Sequence, residues 1–327
     1  MARTVAIIGA GQIGYAAAKE FLHAGWDIQV LARTQPNWDT SDFAFRRYIL
    51  GEDPSPNADL VFDTIAYDED DVARYDPDRV GRYMPISSAS VYCDDQGRTL
   101  DEGLINDYPE FAGPITEDQT RISPSEKTYS TRKVRMENAA DTRFGERATI
   151  LRPCAIYGEH SRQPREWWFV KRLRDGRSRI PLAYNGESQF DTTDVAMIGR
   201  FAVWAAEHDL SGAFNLADAN SPTVAEIGQT VADCLGMSPE FLGFDGPPKG
   251  TVGASPWAIP KPFTISSEKA KQTGLPSCSN LYEPSASIEW LKTVRDEDWK
   301  ALFPVLVGYG YDLFDYEAED RFLDELA

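Results

Sequence analysis

Tyr129 and Lys133 stand at i and i+4 in Thr128-Tyr129-Ser130-Thr131-Arg132-Lys133. On a helix that spacing sends both side chains off one face, toward the same bound molecule. The chemistry open to such a pair is proton transfer. An ammonium beside a phenol favours the phenolate by opposite charge, so the Tyr129 pKa, about 10 for a free tyrosine, is expected to fall toward neutrality. A serine from a neighbouring strand would complete the set by holding a carbonyl or hydroxyl oxygen, and Ile86-Ser87-Ser88-Ala89-Ser90-Val91-Tyr92 supplies one. Tyr15 and Lys19 share the same spacing, so spacing alone does not choose between the pairs; order along the chain does.

The elements that must position these groups begin at the first residues. Val5-Ala6-Ile7-Ile8 reads as a strand, Gly9-Ala10-Gly11-Gln12-Ile13-Gly14 as a turn, and Ile13, Ala17, Phe21 and Ala24 recur at helical spacing. Gly9 permits the tight turn, Gly11 lets backbone approach a pyrophosphate, and Gly14 lets helix pack on strand. The helix opening at Gln12 and Ile13 offers free N–H groups to the anion. Strand, glycine turn and helix in that order point to a bound dinucleotide. Residues 27–33 read as the second strand. At about 20 residues past the glycines, a carboxylate serves the ribose 2′-OH of NAD and a cation accommodates a 2′-phosphate. Leu31-Ala32-Arg33-Thr34 has no acid and one arginine, so NADP(H) is the preferred cofactor on this reading, with Arg33 on the phosphate and NAD(H) as the alternative. Residues 58–66 and 82–88 read as further core strands. The second delivers Ser88 at its carboxyl end, the edge where doubly wound sheets bind ligands. Pro124 and Ser125 open a helix over 125–144 that bears Tyr129 and Lys133, and 147–153 is another strand.

A chain of 327 residues, 42% hydrophobic, has room for one large α/β domain with an accessory lobe, or for two domains. Cys93, Cys154, Cys234 and Cys278 fit no metal or redox spacing, and with three histidines no metal centre is expected. The first strand starts so close to Met1 that no signal peptide is expected, and no apolar run has membrane-spanning length; the expected location is cytoplasmic. A net charge of −19 repels nucleic acid and anionic membranes. The acid gathers at 67–78 and 312–325, where a solvated face accounts for it. Residues 158–179 are rich in arginine, carry Trp167-Trp168, and read as a mobile cover. Arg162, Arg165, Arg172 and Arg174 are candidates to grip a phosphate or carboxylate. Only one of the two tryptophans is expected to face a cleft, because adjacent helical positions diverge by about 100°. Helical patterns at 223–235 and 284–299 lie in a smaller lobe that starts near Pro222.

With these pieces in order, the chain resembles the short-chain dehydrogenase/reductase superfamily, in its extended, NAD-dependent epimerase/dehydratase-like branch. The likeness rests on the glycine turn, Ser87-Ser88-Ala89-Ser90-Val91-Tyr92, the Tyr129/Lys133 pair, Leu151-Arg152-Pro153-Cys154-Ala155-Ile156-Tyr157-Gly158, Gln189-Phe190-Asp191-Thr192-Thr193-Asp194-Val195-Ala196, and Gly212-Ala213-Phe214-Asn215-Leu216. It implies an α/β fold, a doubly wound Rossmann-type parallel sheet with a smaller C-terminal substrate lobe. The core would be 1–158 with return segments at about 186–220, and the lobe 159–185 with 221–327. It implies Ser88 as the oxygen-holding serine, Tyr129 as acid/base, and Lys133 as the partner that also bonds the nicotinamide ribose. Further cofactor contacts are expected at Ile65, Ala66, Ser87, Pro153 and Ile156, and substrate contacts at Ser90, His160, Arg165 and Trp168. Tyr15 and Lys19 match nothing in the family.

Two departures narrow the chemistry. Ile8 stands where the branch has the first glycine of G-x-x-G-x-x-G. Ala89-Ser90 stand where sugar-nucleotide dehydratases carry Asp-Glu, which disfavours dehydration. The cysteine of the deoxysugar epimerase-reductases is Ser90 here, although His160 occupies their histidine position, so inversion of a carbon by proton exchange is not expected. The leading expectation is an NADP(H)-dependent oxidoreductase that interconverts a ketone and a secondary alcohol on a small polar substrate. The alternative is a nucleotide-sugar epimerase that uses a bound cofactor transiently, and a reading of another class is a non-catalytic dinucleotide sensor. The intact Ser88, Tyr129 and Lys133 argue against the sensor. RNA binding is unattractive at this charge, and a homodimer stays open as an assembly.

Overall fold

The computed structural model describes residues 3–325. They divide into two compact units. The first runs to Ile156 and takes in Thr193–Ala219 and Ile265–Leu281. The second comprises Tyr157–Thr192, Asn220–Thr264 and the chain from Tyr282. Ile265–Leu281 thus belongs with the first unit, where the sequence pattern places it in the lobe. Its Ala270 and Cys278 are part of that unit's apolar core.

The first unit is built on β1 (Thr4–Ile8), α1 (Gln12–His23), β2 (Asp27–Ala32), β3 (Ala44–Arg47), β4 (Ala58–Asp63), α2 (Glu69–Ala73), β5 (Val80–Pro85), α3 (Gly103–Asn106), α4 (Tyr129–Phe144) and β6 (Thr149–Pro153). Five strands form a parallel sheet in the order β3-β2-β1-β4-β5. Bridges at Tyr83–Ala148 and Ile86–Leu151 carry it on to β6, which pairs in parallel with the strand Gly212–Leu216. Order reverses between β1 and β4, the crevice where doubly wound sheets take ligands. Both faces are covered. Ile7, Val30, Phe62 and Met84 pack toward α1 and the helix Val195–Glu207; Ile8, Leu31, Val61 and Tyr83 pack toward Met136, Ala140 and Phe144 of α4. Near-continuous apolar strands follow from that double burial.

Element ends differ from the sequence pattern for local reasons. β4 stops at Asp63 rather than reaching Ala66, because the Asp63 carboxylate accepts the N–H groups of Ile65 and Ala66 and turns the chain out of the sheet. β3, a short edge strand with little apolar content, has no strand signal in the sequence. α4 opens at Tyr129 rather than Ser125. A reciprocal capping box between Thr128 and Thr131 fixes that start, and the Asp101 carboxylate accepts the Ser130 N–H at 2.9 Å.

Residues 158–179 lie in the second unit. They contain the helix Trp167–Arg174, in which Trp167, Trp168, Phe169, Val170, Arg172 and Leu173 are all buried. The helix Val224–Leu235 is capped by Thr223 with Glu226, and the pattern at 284–299 resolves into a helix Ser285–Lys292 and a short one at Trp299–Leu302.

Candidate active site

Gly9 has φ +99°, a region side chains disfavour, and a Cβ there would meet Thr64 Oγ1 at 2.3 Å. A Cβ on Gly14 would meet the Gly9 carbonyl at 2.2 Å, whereas Gly11 faces open space. The start of α1 has no side-chain cap and no acid in its first turn. The Gln12 side-chain oxygen is buried with no hydrogen-bond partner among the described residues. Close packing behind, openness in front and uncapped N–H groups are the features a pyrophosphate needs, so these residues fit a dinucleotide. The Tyr15 ring packs on Trp38, and the Lys19 ammonium lies 5.1 Å from its centroid. Arg33 is exposed just beyond β2.

The helix α4 presents Tyr129 and Lys133 on successive turns at the carboxyl edge of the sheet. Ser88 follows β5 and opens a short 3₁₀ turn, its hydroxyl accepting the Ser90 N–H at 3.1 Å. The Ser88 hydroxyl lies close enough to the Tyr129 phenol to pull the phenol's pKa down. Tyr129 remains 40% exposed, which leaves it reachable. Its pKa runs opposite to expectation. Loss of hydration around the hydroxyl pushes it up to about 12, against the pull of Ser88. Lys133 does not lower it, because the ammonium is turned to backbone: Nζ donates to Ala66 O at 2.6 Å and Ile86 O at 2.9 Å, and lies 5.7 Å from the Tyr129 ring centroid. Burial lowers the Lys133 pKa to about 8, with Asp63, Glu137 and Asp71 opposing that fall. The phenol is therefore a proton donor at neutral pH.

Other named residues fall as follows. Ser87 is turned inward, its hydroxyl donating to Glu137 and its N–H to Leu151 O, so its side chain is committed to the protein. Ile65 is exposed and Ala66 buried. Pro153 ends β6 opposite Leu216, and Ile156 is partly buried against the core. The Ser90 hydroxyl is buried without a partner among the described residues. In the second unit, His160 has φ 61° and its ring lies 5.7 Å from that of Trp290. The Arg165 guanidinium lies 5.5 Å from the Phe190 ring centroid. Trp168 is 1% exposed and the Arg172 guanidinium stacks on it at 3.5 Å, which makes it core rather than a platform for a ligand; Trp167, 0% exposed, is core as well. Arg172 is spent on Glu319, and Arg174 on Val294 O and Asp296, so neither is free to grip an anion.

Sequence reasoning missed the buried polar frame. Glu137 continues the stripe of Tyr129 and Lys133 by one more turn. It takes two bonds from Arg152 of β6, at 2.9 and 2.7 Å, another from Arg121 at 2.6 Å, and that of Ser87. Arg152 also donates to the Tyr92 hydroxyl, which donates to Asn215. The i, i+4, i+8 spacing was the available signal. Asp63 was concealed at the end of an apolar strand.

No protein-family model matches the sequence, and a search of curated proteins gives no match. Solved structures do match. The UDP-N-acetylglucosamine 4-epimerase from Bacillus cereus is 15% identical, with 88% of this chain and 97% of that one covered and a TM-score of 0.63. The Bordetella bronchiseptica enzyme WbmH, in complex with NAD+, is 16% identical over 90% and 100% of the chains, TM-score 0.66. The dTDP-glucose 4,6-dehydratase from Bacillus anthracis, in complex with NAD, is 14% identical over 92% and 100%, TM-score 0.66. The chain shares the fold of these three enzymes. At these identities the likeness speaks to fold, and the expected α/β Rossmann-type sheet is the one observed. Within that fold the glycine turn, Ser88 and Tyr129 lie where β1, β5 and α4 of a parallel sheet expose their ends. No helix among the described residues is long and apolar enough to cross a membrane.

Proposed function

We propose that this chain is a nicotinamide-dinucleotide-dependent enzyme that interconverts a secondary alcohol and a ketone on a nucleotide sugar, and that it acts as an epimerase with no net use of cofactor. The observation that carries this reading is Ser88 beside the Tyr129 phenol, with Lys133 one turn further along the same helix. The substrate class draws support from fold neighbours that include a UDP-N-acetylglucosamine 4-epimerase and a dTDP-glucose 4,6-dehydratase, and the cofactor from the NAD bound by WbmH and by that dehydratase.

When bound, the nicotinamide supplies and accepts hydride at the carbinol carbon. Gly9, Gly11 and the N–H groups of Gln12 and Ile13 would hold the pyrophosphate, beside the Gly14 contact that seats the helix. Ile65, Ala66, Pro153 and Ile156 would wall the cofactor, and Lys133 would bond its ribose. Tyr129, protonated at neutral pH, gives its proton to the substrate oxygen as the alcohol forms and takes it back as the ketone forms. Ser88 holds that oxygen, and the unpartnered Ser90 hydroxyl is the next group available to the sugar. His160 and Arg165 are assigned to the substrate, and the enzyme is placed in the cytoplasm. Ser90 is a poor base at carbon, so inversion would not use proton exchange with solvent there: the carbon-bound hydrogen would leave and return as hydride on opposite faces, while Tyr129 takes and gives the oxygen proton.

The test is a melting-temperature panel of UDP- and dTDP-sugars with NAD(H) and NADP(H), because a ligand bound to the folded state raises the transition. A second reading, a net NADP(H)-dependent ketone reductase, is favoured by exposed Arg33 where a carboxylate would meet the ribose of NAD. Titration of the two cofactors separates them: a preference of about ten-fold for NADP(H), lost in Arg33→Ala, supports the reductase, and tighter NAD(H) binding supports the epimerase.

A further inference from the structure

Lys133 is 6% exposed, and an ammonium in such a place needs acceptors. Its two described acceptors are the carbonyls of Ala66 and Ile86, and both residues are placed by one other side chain's residue. The Asp63 Oδ1 accepts the N–H of Ile65 at 3.0 Å and of Ala66 at 2.9 Å, and the Asp63 main-chain carbonyl accepts the Ile86 N–H at 2.9 Å. The Asp63 Oδ2 accepts the Tyr75 hydroxyl at 2.7 Å and the Tyr83 hydroxyl at 3.0 Å. Asp63 is 0% exposed, and four donors converging on its two oxygens are the partners an ionised carboxylate requires when buried.

We infer that Asp63 is a positioning residue for Lys133: its carboxylate fixes the Ile65-Ala66 turn whose carbonyl seats the ammonium, and its charge holds that ammonium protonated, leaving the third N–H for the ligand. This rests on the proposed role of Lys133 at the cofactor ribose. The charges that face Lys133 are Asp63 from β4, Glu137 from its own helix and Asp71 from α2, with the Tyr129 ring beside it. Glu137 is already neutralised by Arg152 and Arg121. Asp63 has only neutral donors around it, so its negative charge is the one left uncompensated toward Lys133. Loss of hydration raises the Asp63 pKa while its four hydrogen bonds lower it, as expected for a charge held by dipoles alone.

The experiment is an NMR titration of ε-¹³C-labelled lysines in the protein without cofactor, with the Lys133 signal assigned by its loss in Lys133→Met. In the wild type the midpoint lies near pH 8. In Asp63→Asn, which keeps size and most hydrogen bonds, the midpoint moves to lower pH, and in Asp63→Glu it moves less. If Asp63→Asn does not fold, Asp63→Glu carries the test, and Tyr75→Phe, which leaves the carboxylate charge and the turn in place, is the control whose midpoint does not fall. An unchanged midpoint in the folded Asp63 variants overturns the inference. Cofactor affinity is measured separately: Lys133→Met binding NAD(P)H as tightly as wild type would remove the ribose role while leaving the Asp63 to Lys133 coupling to stand or fall on the titration.

Discussion

At the scale of single residues, protonation decides what Tyr129 and Lys133 can do. Tyr129 is a donor whose pKa stands at about 12, so its proton is present throughout the physiological range and its value lies in placement against Ser88. Tyr129→Phe keeps the ring and deletes the proton. Turnover should fall by about 10²–10⁴-fold while the dissociation constant for NAD(P)H stays within a few-fold of wild type, as read by steady-state assay and fluorescence titration. Lys133 has the more telling pH dependence. Its folded-state pKa is depressed from 10.5 to about 8 by burial, so the ammonium is intact below pH 8 and lost as pH rises through it. Cofactor affinity should therefore weaken between about pH 7 and pH 9 in wild type and be flat over that window in Lys133→Met. A flat wild-type profile would remove Lys133 from the cofactor. The expectation that Lys133 makes Tyr129 acidic failed because sequence spacing reports which face a side chain leaves, and not which carbonyls lie nearer than the intended partner.

At the scale of elements, α4 is held to the sheet by charge inside and outside. Glu137 is 0% exposed, and Arg152 is 4% exposed; together with Arg121, Ser87 and Tyr92 they tie the helix to β6 and to the turn that carries Ser88. Removing one member leaves a buried charge unpaired, so Glu137→Ala should cost about 3–5 kcal/mol of stability in urea unfolding. The double change Glu137→Leu with Arg152→Met should recover much of that stability without restoring the geometry of Ser88. Outside, Arg132 and Arg135 bind Asp68 of the α2 cap. The helix was legible from residues, but its start was not: Pro124 and Ser125 read as the opening, whereas the Thr128 cap with Thr131 sets it four residues later. The buried ion pair was not legible, because nothing in a string of letters says that Glu137 and Arg152, on a helix and a strand, face each other. Trp168 and Arg172 failed for the same reason: an aromatic beside arginines reads equally as a ligand platform or as a stacked core pair, and only packing decides.

For the whole molecule, alternation of glycine turn, strands and helices made the parallel sheet readable from the sequence, since double burial writes strands as apolar runs. The return of Ile265–Leu281 to the first unit was not readable, because a segment's partner lies far away in sequence and its own pattern is short. In the proposed function the glycine turn after β1 would hold the dinucleotide and Tyr129 of α4 would serve the oxygen at a carbinol of a nucleotide sugar. The most direct measurement is proton NMR of UDP- and dTDP-sugars incubated in heavy water with the protein and stoichiometric NAD+ or NADP+, with Tyr129→Phe alongside. The account predicts that a sugar is inverted at a carbinol carbon with its carbon-bound hydrogen retained, no net cofactor reduction, and loss of this activity in Tyr129→Phe. Deuterium entering that carbon, or equal turnover in Tyr129→Phe, would contradict it.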